Sequence, residues 1–405
     1  MGSHLQALLA ALVALGVTAA VTPLAASLAR LVGAIDQPRG RGLAAGGTPL
    51  LGGVAMLIGV EAALFLALAP FSEQLSAVAE AAIVITIVGA LDDRFDLLPG
   101  VKLVGQVAAA VLVVTGGVVV DNVTIPFIGP VVFGSAGGPL TVVGLVAVMN
   151  IVNFSDGIDG LAAGVTAIAA LAFAIVAFDL GKVEGGTLAA ITAGAALGFL
   201  LFNFHPASIY MGDAGSNLLG LLLGCTAVLG AVKTQAALAL VFPFLILAVP
   251  VLDTAFVVLK RLKYRQPVYH ADREHFHHRL DRIGFSTRRT VLVLYGWTLA
   301  MASVAVVSRF VQPFASDGSV RPANAIILAT LFGLAIAASV FVVYVLEILK
   351  FERDGRRVRV RMGGPAPRQV DAAREDEESP RDDEPPAGES PTGASGSSRR
   401  VESRR

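Results

Sequence analysis

Windows of about 20 residues without a charge recur along most of this chain, the length an α-helix needs to cross a hydrocarbon core. Lipid offers no hydrogen bonds to the backbone, so each such window must satisfy its own N–H and C=O groups as a helix. Composition agrees, with 55% hydrophobic residues, 15% charged and a mean hydropathy of +0.72. The chain therefore reads as an all-α polytopic membrane protein. Its zero net charge carries little information, because the charges segregate by position. The single cysteine, Cys225, excludes a disulfide framework and a thiolate metal cluster. No nucleic-acid partner is expected.

Window length and breaker residues place about eleven spans. They run from Leu5 to Leu31, Leu50 to Ala69, Ala77 to Leu91, Val101 to Val120, Leu140 to Val152 and Ile158 to Asp179. The rest run from Gly186 to Phe202, Ser216 to Val232, Ala236 to Leu259, Val291 to Ser308 and Ala323 to Leu346. The opening Met1-Gly2-Ser3-His4 is expected to be a cloning remnant, so His4 is left out of the site. Asp121 to Gly138 reads as a hairpin over the membrane surface.

Basic residues choose the orientation. One set of connections holds Arg30, Arg39, Arg41, Arg94, Lys102 and a run from Lys260 to Arg289, whereas the other holds little beyond Lys182, Lys233 and Arg321. The N-terminus is expected outside and the C-terminus in the cytosol. Residues 1–351 form the membrane domain on this reading. Residues 352–405, basic at first, then acidic, then rich in Pro, Ser and Gly, read as a disordered cytosolic tail whose basic start rests on anionic lipid.

Polar residues at the ends of apolar spans are costly to place and mark function. Asn153-Phe-Ser-Asp156-Gly-Ile-Asp159-Gly160 lies between the fifth and sixth spans. Its glycines let backbone approach a ligand, and Asp156 and Asp159 can share one helix face. Asp92-Asp93-Arg94-Phe95-Asp96 ends the third span and Lys102 opens the fourth. Neighbouring carboxylates repel unless a cation or a proton lies between them. Asp96, ahead of Pro99-Gly100, reads as a turn residue.

Asn203-Phe-His205-Pro206 and Tyr210-Met-Gly212-Asp213-Ala-Gly215-Ser216 follow, with Asp213 expected just before a helix whose exposed N–H groups suit an anion beside a metal. Pro243, Pro250 and Asp253 make the ninth span a kinked one. Beyond it, His270-Ala-Asp272-Arg273-Glu274-His275-Phe276-His277-His278-Arg279 lacks the His-Glu-x-x-His spacing of zinc enzymes and reads as a cationic pocket for phosphate. Carboxylates and cations on one membrane face are what Mg2+-dependent phosphoryl transfer uses. A transporter is the alternative, since broken helices with intramembrane carboxylates occur there too.

Taken in order, these motifs resemble those of the polyprenyl-phosphate N-acetylhexosamine-1-phosphate transferases, from Asp36 to Leu280 and including Thr48-Pro-Leu-Leu-Gly52-Gly53. The final motif is more similar to the branch that uses UDP-N-acetylglucosamine than to the branch that transfers phospho-MurNAc-pentapeptide. The resemblance implies a cytoplasmic cleft in a plasma-membrane protein, often a homodimer. It also implies transfer of GlcNAc-1-phosphate from UDP-GlcNAc to undecaprenyl or another polyprenyl phosphate, releasing UMP. By matching motif, Asp213 would bind Mg2+, for which Mn2+ could substitute. Asp92 and Asp93 would face the lipid phosphate, with Asp92 as the proposed base. Asn153, Asp156 and Asp159 would hold nucleotide or diphosphate, Asn203 and Tyr210 the uridine, and His275, His277 and His278, flanked by Arg273 and Arg279, the phosphates. One departure stands out: Arg41 is followed by Gly42 and Ala44 where the family commonly carries Arg-Lys-x-His.

Overall fold

The computed structural model describes residues 2–36, 47–68, 72–125, 129–232, 251–252, 285–311 and 319–340. Eight helices among them are long and apolar enough to cross a membrane, and two shorter apolar ones accompany them. They are α1 (Ser3–Val32), α2 (Gly52–Leu68), α3 (Glu73–Phe95), α4 (Pro99–Thr115), α5 (Gly137–Ser155), α6 (Leu161–Asp179), α7 (Val183–Asn203), α8 (Gly212–Ala227), α9 (Thr287–Phe310) and α10 (Pro322–Val340). The chain is a multi-pass, mostly helical membrane protein. Ten of the expected spans coincide with these helices; the ninth, including Asp253, lies almost wholly outside the described residues. So do Arg39, Arg41, the loop with Arg273, His275, His277, His278 and Arg279, and everything after residue 340.

Local chemistry explains where the helices begin and end. α3 starts four residues earlier than hydropathy suggests, because the Ser72 hydroxyl caps it by accepting from the Leu75 N–H. Pro99 occupies the first turn of α4, where its missing N–H costs nothing. Asp96 closes α3 in the left-handed region, as a turn residue should. Asn122–Ile125 and Gly129–Val132 pair as the expected hairpin.

Helix packing in lipid depends on small residues that let backbones approach. Gly194 and Gly198 of α7 rest on the backbone of Ala11 and Leu15 in α1, where a methyl group would stand 2.9 Å from the Ala11 carbonyl carbon. The same device surrounds α8. Gly53 of α2 lies against Gly215, Gly89 of α3 against Asp213 and Ala214, and Gly220 of α8 itself against Met149 of α5. Every residue from Ala214 to Ala227 is buried, so α8 is the central post of the bundle, with α2 and α3 closing on its first turn and α5 further along it.

Candidate functional site

The site is built where several helices end at one level. The α5–α6 connection carries Asp156, Gly157, Ile158 and Asp159, and lies outside both helices. Asp156 and Asp159 therefore do not share a helix face as expected, because Gly160 takes φ +79 and stops α6 from extending backwards. Gly160 is held on both sides: its N–H donates to Asn203 Oδ1 at 3.0 Å, and its carbonyl accepts from the Tyr295 hydroxyl of α9. The Asn203 amide also donates to the Ile209 carbonyl at 3.0 Å, and only 2% of this side chain is exposed. Asn203 thus ties two loops together.

The second half of the site is the first turn of α8. Asp213 lies inside the helix, after Gly212, and is not its N-cap; Met211 is. The helix N-terminus does receive an anion, and that anion belongs to the protein. Asp93 accepts from the Asp213 N–H at 2.7 Å and from the Ala214 N–H at 3.2 Å. Asp213 Oδ1 accepts from the Asn153 amide at 3.0 Å, and that amide also reaches Ser216 Oγ at 2.8 Å.

Lys102 lies between the acidic groups. Its ammonium is 2.9 Å from Asp92 Oδ2 and also pairs with Asp213 Oδ2. Asp92 Oδ1 accepts from the Leu97 N–H at 2.9 Å. One carboxylate oxygen from each of Asp92, Asp93 and Asp213 lies within 4.8 Å of the others. Such an all-oxygen donor set suits a hard divalent cation, and these three residues would hold it.

A cavity of about 330 Å³ opens beside this cluster, lined by Asp36, Asp93, Asn153, Asp156, Asp159, Asn203, Tyr210 and Asp213 among others. Seven of the residues singled out in the sequence meet there. Asp92 and Lys102 adjoin it through Asp213; the Arg273 to Arg279 loop lies outside the described residues. Burial pushes the Asp156 carboxyl up to about 8, with further contributions from Asp213, Asp93 and Asp159. Burial likewise raises the Tyr210 phenol, against a hydrogen bond with the Thr48 side chain. Five carboxylates facing one cavity make it a place for a cation and for groups that travel with one.

Sequence reasoning missed several participants. Asp36, noted only as the start of a matching region, lines the cavity from a two-residue strand paired with Thr48–Pro49. His205 Nδ1 lies 2.7 Å from Asp159 Oδ2, which also accepts from the Ala207 N–H at 3.0 Å. Arg288 of α9 donates to the His205 carbonyl at 3.1 Å. Neither Tyr295 nor Arg288 could have been found by spacing, because they lie 135 and 83 residues from their partners in sequence and meet the loops only in the fold.

Residues 75–231 match the family described as glycosyl transferase family 4. Beyond that core, the probable undecaprenyl-phosphate N-acetylglucosaminyl 1-phosphate transferase of Bacillus subtilis is 35% identical over 291 residues, 71% of this chain and 81% of that protein. The chain belongs to the polyprenyl-phosphate N-acetylhexosamine-1-phosphate transferases of glycosyl transferase family 4. The decaprenyl-phosphate N-acetylglucosaminephosphotransferase of Mycobacterium tuberculosis is 36% identical over 74% of the chain and 82% of its own length. A phospho-N-acetylmuramoyl-pentapeptide-transferase from Desulforudis audaxviator is 34% identical over 63% of the chain and 82% of its own length. Membership places this transferase apart from the transporters whose broken helices it resembles in composition.

Proposed function

We propose that this transferase moves N-acetylglucosamine-1-phosphate from UDP-N-acetylglucosamine to undecaprenyl or another polyprenyl phosphate, with Mg2+ as its cofactor and Mn2+ as a substitute. The carrying observation is that Asp92, Asp93 and Asp213 converge with Lys102 at the ends of apolar helices, beside a cavity that Asp93 and Asp213 line. A lipid-borne phosphate can approach that position from the bilayer and a nucleotide sugar from water. The cytosol is the side on which the donor is available, so the cavity is placed there, in the plasma membrane.

A phosphate oxygen of the lipid attacks the β-phosphorus of the donor, the bond to the bridging oxygen breaks, and UMP leaves. A divalent cation on the acidic cluster supplies charge neutralisation for the diphosphate. The chain does the positioning. Lys102 is a cation placed for the lipid phosphate, and Asp92 fixes its ammonium. Asn153 orients Asp213, Asp156 and Asp159 border the diphosphate space, and Tyr210 with Asn203 shapes the nucleoside end. The phosphate monoester is already nucleophilic near neutral pH, so orientation and charge matter more than removal of a proton by Asp92. The loop with Arg273, His275, His277, His278 and Arg279 is assigned to the donor phosphates.

UMP release by purified protein tests this, with undecaprenyl phosphate, Mg2+ and UDP-GlcNAc, UDP-GalNAc or UDP-MurNAc-pentapeptide in turn. Release with UDP-GlcNAc that stops on chelation is the expected result. Release with UDP-MurNAc-pentapeptide alone would move the protein to the branch of the Desulforudis relative, and silence with all three would overturn the reading.

A further inference from the structure

Beneath the acidic cluster lies a second polar layer, inside the bundle. Asn150 of α5 donates to Gln106 Oε1 at 2.8 Å, Gln106 of α4 donates to Asn217 Oδ1 at 2.7 Å, and Asn217 of α8 donates to the Asp213 carbonyl at 2.8 Å. Gln106 is 4% exposed and Asn217 3%. Asn150 also donates to the Val146 carbonyl at 2.8 Å. The three amides form a ladder in which each donates to the next, from Asn150 through Gln106 and Asn217 to the backbone carbonyl of Asp213.

The register of this ladder is the informative part. The site above it draws Lys102 from α4, Asn153 from α5 and Asp213 from α8. Each amide lies one helical turn from its counterpart: Gln106 is four residues after Lys102, Asn217 four after Asp213, and Asn150 three before Asn153. α5 ends at the site whereas α4 and α8 begin there, so the spacing runs backwards in α5 alone. Two polar layers therefore stack in register on the same three helices.

We propose that Gln106, Asn150 and Asn217 are positioning residues of the transferase, setting the spacing and rotation of α4 and α8 so that Lys102 and the Asp213 carboxylate meet. Apolar side chains pack well in several rotations, whereas a chain of directed hydrogen bonds is satisfied in one. An apolar layer at this depth would hold the helices together and leave their rotation unspecified. This inference rests on the functional reading above in taking Asp213 as a cation ligand.

Two variants test it: Gln106→Leu, and the triple Gln106→Leu, Asn150→Leu, Asn217→Leu, which removes every partner together and leaves no buried amide unpaired. Both are compared with wild type in detergent for the Mg2+ concentration that half-saturates UMP release and for the Mg2+-induced rise in thermal midpoint. The triple variant is expected to fold, with half-saturation moved upward by about tenfold or more, as for other groups that orient metal ligands. Its thermal response to Mg2+ should move by a similar factor, a change that general loosening of the bundle would not produce. Wild-type Mg2+ dependence in the folded triple variant would overturn the proposal. Failure of the functional reading has a separate signature, wild-type protein that releases no UMP. The thermal measurement needs no substrate and still decides, because equal Mg2+ responses in all three proteins, zero included, also overturn it.

Discussion

Gly212→Ala is the substitution that reports most directly on whether Asp93 must sit on the N-terminus of α8. Gly212 has φ +67, and an added methyl group would stand 2.5 Å from Asp93 Oδ1 and 2.6 Å from its Cγ. Real Cβ atoms do not come within 3.0 Å of such neighbours and Asp93 Oδ2 stands closer still, so the carboxylate must retreat by more than half an ångström. Retreat lengthens the two bonds it accepts from the Asp213 and Ala214 N–H groups, each worth about 1.5–3 kcal/mol as a bond to a charged partner. The left-handed backbone adds about 1–2 kcal/mol for any residue with a side chain. Displacement of a positioning group by this order costs about a hundredfold in turnover. Gly181→Ala is the matched control: Gly181 has φ +70 and nothing within 4 Å of an added methyl group, so it carries the backbone strain without the collision. UMP release per folded molecule is the assay, with the thermal midpoint alongside. Gly181→Ala should lose only the strain of about 1–2 kcal/mol; Gly212→Ala should lose more than that, because its two bonds lengthen as well, and it alone should lose about two orders of magnitude in kcat. Turnover of Gly212→Ala within about threefold of Gly181→Ala would refute the placement of Asp93.

Lys102→Met removes the ammonium that pairs with Asp92 and Asp213; turnover should fall at least tenfold or so, while the Mg2+ thermal response shifts to lower Mg2+ because the competing cation is gone. An unchanged Mg2+ response would show that Lys102 and the metal do not share these oxygens. Without metal, the raised Asp156 carboxyl means that the folded protein binds a proton which the unfolded chain releases near pH 4, so apparent stability in EDTA should fall as pH rises from about 4 to about 8. Added Mg2+ should flatten that slope, and a slope indifferent to Mg2+ would remove Asp156 from the field of the cation. Tyr295→Phe deletes the hydroxyl that holds the Gly160 carbonyl; at about 0.5–1.5 kcal/mol for the lost bond, steady-state kinetics should show KM for the donor rising severalfold with kcat nearly unchanged. An equal fall in kcat would place the tether in the chemical step instead.

Much of the architecture was legible in the residue order. Ten of the described helices lie where the apolar windows lie, and the hairpin between α4 and α5 formed where turn residues interrupt short β-prone runs. The acidic residues were legible as well, because a carboxylate beside an apolar span has few reasons to be there other than function. Local punctuation was harder to read: Ser72 begins α3 a turn early, and Gly160 keeps Asp159 off α6.

By itself, the sequence determined what must be helical, which ends of the spans are polar, and which chemistry the polar residues can support. These are properties of single segments, set by transfer of side chains and backbone into lipid. Only the tertiary structure decided which groups pair: that Asp93 takes the N-terminus of α8, that Lys102 joins Asp92 to Asp213, that Asp159 meets His205, and that Gln106, Asn150 and Asn217 form one ladder. Each pairing depends on the rotation and depth of helices brought together from distant parts of the chain, with glycines allowing the close approach. Neither quantity is encoded in the hydropathy of any one segment, since an apolar helix is equally soluble in lipid at every rotation about its axis.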